Sequence, residues 1–134
     1  MSRLQTSRCL ALVFGVLTPL AETVRRWGAL WDEPAVYVDD LALGAVLLLG
    51  AWATRGGRDD AGPRAVLAAG WGFGLGIAYY SIAGHWQMLH AGVPDPAPIP
   101  SEAVFAIKVA GAVCFAVGLW AALTARAGAR RPQG

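Results

Sequence analysis

Four apolar stretches, each close to the length that crosses a lipid bilayer, occupy most of this 134-residue chain, over about residues 9–30, 36–53, 64–89 and 103–125. At about 1.5 Å of helical rise per residue, each reaches across most or all of a hydrocarbon layer about 30 Å thick. Lipid offers no partner for backbone N–H and C=O groups, so continuous apolar runs of this length are expected as helices, which satisfy those groups internally. The fold expected is therefore all-α: an integral membrane four-helix bundle forming a single domain over residues 1–134. Residues 126–134 form a short basic tail. With 56% hydrophobic and 15% charged residues, the chain does not read as a water-soluble domain.

Basic residues fall unevenly about these stretches. Arg3 and Arg8 precede the first, Arg25 and Arg26 close it, Arg55, Arg58 and Arg64 lie between the second and third, and Arg126, Arg130 and Arg131 follow the fourth. Eight against two favour one side, so the positive-inside rule predicts cytoplasmic termini and a cytoplasmic middle loop, in a membrane of the bacterial inner type. The net charge of +2 arises at helix ends, which is the pattern of membrane orientation; no nucleic-acid partner is expected. The partners expected are the lipid bilayer and either a second copy of the chain or another membrane protein.

The basic start and the 13-residue apolar run from Cys9 to Ala21 also fit a signal peptide. The run continues through Glu22-Thr-Val-Arg-Arg-Trp with no small-x-small cleavage site, so an uncleaved first helix is expected. Cys9 and Cys114 fall in different helices and form neither a CxxC pair nor a disulfide framework. No cofactor motif is present: the glycine-rich run in the third stretch lacks the strand that must precede a dinucleotide fingerprint.

The loop at 54–63 has the Gly, Asp and Pro content of a surface turn, with Pro63 in the first turn of the next helix. The loop at 93–100 places prolines at 94, 96, 98 and 100, which predicts an extended strap across the outer mouth, with Ser101 as N-cap of the last helix. Trp27, Trp31, Tyr37 and Trp86 on the outer side, and Trp52 and Trp120 on the inner, read as interfacial belts.

Within the third stretch, Gly70-Trp-Gly-Phe-Gly-Leu-Gly76 contains two interleaved GxxxG pairs, Gly70/Gly74 and Gly72/Gly76. Small residues let helix backbones approach closely in lipid, where the hydrophobic effect does not drive association. The first pair continues at helical spacing through Ala78, Ser81 and His85, so His85 is expected on the contact face.

The ionisable groups converge on the outer half. Glu22, Arg25 and Arg26 end the first helix, Asp39 and Asp40 open the second, Tyr79, Tyr80, Ser81 and His85 approach that side in the third, and Lys108 enters the fourth. Ionisable groups inside a bilayer are costly unless paired or turned inward, which makes them candidates for function. Glu22, Asp40, His85 and Lys108 are the principal ligand- or ion-binding candidates, with Arg25, Arg26, Asp39, Tyr80 and Ser81 secondary. Asp40 shares a face with Gly44, and on the ion- or proton-handling reading it would be the partner of Lys108. Each residue has a plainer role: Glu22 with Arg25 and Arg26 as an interfacial anchor, the aspartates as helix-start charges, Lys108 snorkelling outward, His85 as a packing residue.

His85 and His90, five residues apart, point to different helix faces, and no HExxH motif or cysteine cluster supports a metal site. No nucleophile with a local catalytic signature appears, so an enzyme is the least supported class. Two functions remain: a membrane protein whose outer cluster binds or relays a polar ligand, ion or proton, and a structural or accessory subunit in which the same charges form an internal salt-bridge network and the Gly-rich helix mediates assembly.

Overall fold

The structure of the chain, a computed structural model, describes residues 2–27, 34–57 and 61–125. Trp31, Arg58 and the basic tail at 126–134 lie outside the described residues. Four α-helices make up almost all of the rest: α1 (Arg3–Arg25), α2 (Pro34–Ala53), α3 (Ala61–Ala91) and α4 (Ser101–Leu123). A short 3-10 turn, Arg55–Gly57, follows α2. No strand is present among the described residues. Three helices, α1, α3 and α4, are long and apolar enough to cross a membrane.

Local sequence accounts for the helix boundaries. Ser2 caps α1 by accepting a hydrogen bond from the Gln5 amide at 3.2 Å, which starts the helix six residues before its apolar run. Pro34 begins α2, where its missing N–H costs no helical bond. At the end of α3, Gly92 takes a φ of +69°, and the Val93 amide donates back to the Met88 carbonyl at 3.0 Å. A left-handed residue at this position closes a helix with glycine at little steric cost.

The helices form a closed ring in which α1 packs on α2 and α4, and α3 packs on α2 and α4. Successive helices run in opposite directions. The start of α1 meets the end of α4 through Ser7 and Gly118, while the end of α1 meets the start of α2 through Thr23 and Tyr37. Leu43, Leu47, Leu67, Trp71 and Phe115 fill the core, with Phe14 edge-on to both aromatic rings.

Small residues set how close the helices come. Pro19 has no N–H to offer the Gly15 carbonyl, and that carbonyl faces Gly44, where a Cβ would lie 2.6 Å from it. Gly70 and Gly74 pack against α2, where added Cβ atoms would meet Val46 and Leu43 at 3.1 Å. Gly74 also meets Phe115 of α4 at 3.1 Å, so this GxxxG pair is used inside the chain. Gly72 and Gly76 look onto open space. Gly118 lies under the Trp71 indole, which donates through Nε1 to Ser7 Oγ at 2.8 Å; Ser7 in turn donates to the Gly118 carbonyl at 2.9 Å.

Outward-facing surfaces are apolar as well. Leu12, Val16, Leu20, Leu49, Ile107 and Val113 are all well exposed. Helices that are hydrophobic on both the packed and the outer face suit a lipid surrounding. At the end where α1 starts and α4 finishes, Arg8 donates to the Ala51 carbonyl at 3.2 Å and Arg64 to the Ala125 carbonyl at 2.7 Å. Arg3 lies over Trp120 and Arg55 over Trp52, with guanidinium-to-ring distances of 4.7 and 4.4 Å. The arginines there serve the carbonyl ends of helices, where a cation is favoured.

Candidate functional site

At the opposite end of the ring, the last turns of α1 and α3, the start of α4 and the loop at 93–100 meet around one carboxylate, Asp95. Gly92 turns the chain off α3, and the loop is not the extended strap that its alternating prolines predict: the chain bends over residues 96–99. Its Asp95 side chain is fully buried. The Asp95 amide donates to Ser101 Oγ at 2.9 Å, and the Ala97 amide donates to Asp95 Oδ1 at 2.9 Å, which folds the loop inward around this residue. The expected capping role of Ser101 is corrected here. Pro100 is the N-cap, and the Ser101 hydroxyl is occupied by the loop.

Arg25 grips Asp95 with both edges of its guanidinium, Nε to Oδ1 at 3.0 Å and Nη2 to Oδ2 at 2.8 Å. Its remaining nitrogen, Nη1, donates to Glu22 at 3.0 and 3.2 Å. Glu22 also accepts from Arg26 Nε. The three- and four-residue spacing on α1 thus gives the ion pairs expected of it, while Arg25 adds a link to a residue seventy positions away.

His85, 2% exposed, sits directly beneath Asp95. Its Nε2 lies 2.8 Å from the Ser101 carbonyl oxygen, so that nitrogen carries the hydrogen. Its Nδ1 lies 3.2 Å from Asp95 Oδ2 and 3.3 Å from Lys108 Nζ. Lys108 forms no direct ion pair with Asp95 among the described residues and reaches it through the imidazole. Phe105 flanks the His85 ring, with centroids 5.9 Å apart.

Burial works against ionisation of Asp95. The hydrogen bonds from Arg25 and the Ala97 amide, with the charges of Arg25 and Lys108, outweigh it and hold the carboxyl below the usual carboxylate range.

Of the sequence candidates, Glu22, Arg25, Arg26, His85 and Lys108 belong to this network. Asp40 does not pair with Lys108. It makes no hydrogen bond or ion pair among the described residues, although it lies within the field of Glu22, Arg25 and Arg26. Asp39 is exposed, and Ser81 is half-buried with no side-chain hydrogen bond among the described residues. Tyr80 is 79% exposed and faces away from the site, as does Tyr79. His90 turns to the surface, its Nδ1 donating to the Trp86 carbonyl at 2.8 Å. Among the described residues no three His, Cys, Asp or Glu side chains converge as a metal site requires.

The sequence reading missed Asp95 and the Ser101 carbonyl. Asp95 is the one ionisable residue in a loop expected to cross the mouth of a cluster rich in arginine and lysine, and that position was the available signal. The chain matches no protein-family model, no curated protein and no solved structure.

Proposed function

We propose that this is a four-span membrane protein, with α2 as the fourth span and both termini cytoplasmic, whose outer half holds a buried ionisable network that binds or relays a small ion or proton. The observation that carries this reading is His85, buried between a lysine and an aspartate at a helix end of membrane-spanning character. Groups placed at such depth are costly to maintain, and ion and proton pathways are where membrane proteins commonly use them. Four closely packed helices leave little room for water within one chain, so a continuous pathway would be completed by assembly with further copies.

The test is flux into vesicles reconstituted with the purified protein, read for protons, sodium and potassium under an imposed gradient. Flux in the wild type that disappears in Lys108→Met supports the proposal. Vesicles no leakier than protein-free ones to any of the three would sink it.

One observation favours a structural subunit instead: every buried side-chain nitrogen and oxygen among the described residues has a partner. On that reading the network fixes helix register and anchors the outer loop. The open side of α3 at Gly72 and Gly76 then receives a second copy or a partner membrane protein. Its signature is loss of melting temperature in Lys108→Met with no flux in either protein.

A further inference from the structure

We propose that His85 Nδ1 is a proton-binding site at which Lys108 and Asp95 compete, so that the ion handled by the network is the proton itself. This rests on the reading of the network as an ion-handling site and specifies its substrate. The Ser101 carbonyl can only accept a hydrogen bond, so Nε2 keeps its hydrogen in every state of the ring. Nδ1 is then the one variable position. It has two neighbours at nearly equal distance and of opposite character: the Lys108 ammonium at 3.3 Å, which only donates, and the Asp95 carboxylate at 3.2 Å, which only accepts.

A ring nitrogen has one in-plane direction for a lone pair or a hydrogen, so Nδ1 satisfies one neighbour at a time. Bare, it accepts from Lys108 and sets its lone pair against Asp95 Oδ2. Protonated, it donates to Asp95 and sets a hydrogen against the ammonium. Asp95 is ready for the second state. Arg25 takes one direction on each carboxylate oxygen, at 3.0 and 2.8 Å, and Oδ2 retains another lone pair for the imidazole.

Arrival of a proton from the outer aqueous side therefore exchanges partners. Nδ1 gains the proton and one positive charge, the His85–Asp95 bond forms, and Lys108 keeps its three protons but loses its acceptor. Return of the proton to water reverses each step. Among the described residues, the charged groups at this end of the elements around His85 are Glu22, Arg25 and Arg26 on α1, Asp39 and Asp40 on α2, Asp95 in the loop, and Glu102 and Lys108 on α4. Among them only Lys108 and Asp95 contact Nδ1.

Nitrogen NMR of histidine-labelled protein in lipid nanodiscs reads both ring nitrogens as pH is lowered, with the exposed His90 as an internal reference. The expected result is an Nε2 that carries hydrogen throughout and an Nδ1 that gains it on acidification. At a fixed acidic pH, Lys108→Met should raise the protonated share of His85 several-fold and Asp95→Asn should lower it several-fold. An Nδ1 that stays bare while His90 charges, or variants that shift the share in the same direction, would overturn the proposal. The wild-type titration decides alone if Asp95→Asn does not fold. Vesicle flux separates the two claims: Nδ1 protonation without proton flux removes the conduit and leaves the binding site, whereas sodium or potassium flux with a bare Nδ1 removes the proton site and leaves the conduit.

Discussion

Arg25 and Asp95, seventy residues apart, form a two-pronged ion pair whose aspartate side chain is wholly enclosed, and through it the end of α1 holds the loop at 93–100 against α3 and α4. Planar, bidentate contacts of this kind combine charge with fixed geometry. Removing one partner strips the other of its bidentate contact and leaves that charge only partly compensated, by Glu22 for Arg25 or by the Ala97 amide for Asp95.

Asp95 makes stability depend on acid in a stated direction. Its folded carboxyl lies below the ordinary carboxylate range, so the ionised form favours the folded state. That contribution is complete above the unfolded value of about 4 and is lost as pH falls through the lower folded value. Acid unfolding of the wild type should therefore include a fall in stability below about pH 4 that Asp95→Asn lacks, measured by melting temperature against pH.

Gly118 admits no side chain. A Cβ there would run into the Trp71 ring, which is fully buried and anchored to Ser7. Gly118→Ala should destabilise by about 1–3 kcal/mol through overpacking, and Trp71 fluorescence should report the displaced ring.

The two GxxxG pairs should respond in opposite ways. Gly74→Ile forces atoms into Leu43 and Phe115, each only 3.1 Å from where the first added carbon would stand, and should sharply lower the melting temperature. At Gly72 an added Cβ would meet nothing within 4 Å, so Gly72→Ile should leave the stability of the single chain within about 0.5 kcal/mol. A change in oligomeric state confined to Gly72→Ile would mark the open side of α3 as an assembly face.

Orientation can be read with cysteines placed in a background lacking Cys9 and Cys114. Ile99→Cys, in the exposed part of the 93–100 loop, should react with a membrane-impermeant maleimide on intact cells. Gln5→Cys, exposed at the start of α1, should react only after the membrane is opened. The reverse pattern would invert the proposed topology.

Helical periodicity made much of the site legible. Gly70, Gly74, Ala78, Ser81 and His85 recur at three- and four-residue spacing, and all but the half-buried Ser81 are buried in the structure. Tyr80 shows the sharpness of that signal: only two residues beyond buried Ala78, it is rotated off the face and left exposed. Glu22 with Arg25 and Arg26 was equally readable, because the spacing alone brings these side chains together. The Lys108 partner was not, since which helices meet, and at what height, depends on contacts such as Gly15 with Gly44 that one helix cannot reveal. Asp95 was hidden for another reason. Alternating prolines announce an extended loop, but whether its aspartate faces water or the interior is decided by Ser101 and Arg25, both distant from the local pattern.

The most direct test of the network is a double-mutant cycle on Arg25 and Asp95, read as unfolding free energy in a lipid or mild detergent environment. Arg25→Gln and Asp95→Asn should each cost about 3 kcal/mol, and the double variant should cost about as much as either alone, because the first change already removes what the second would break. Costs that simply add would show that the two residues act independently, and would contradict a buried network closed by Asp95.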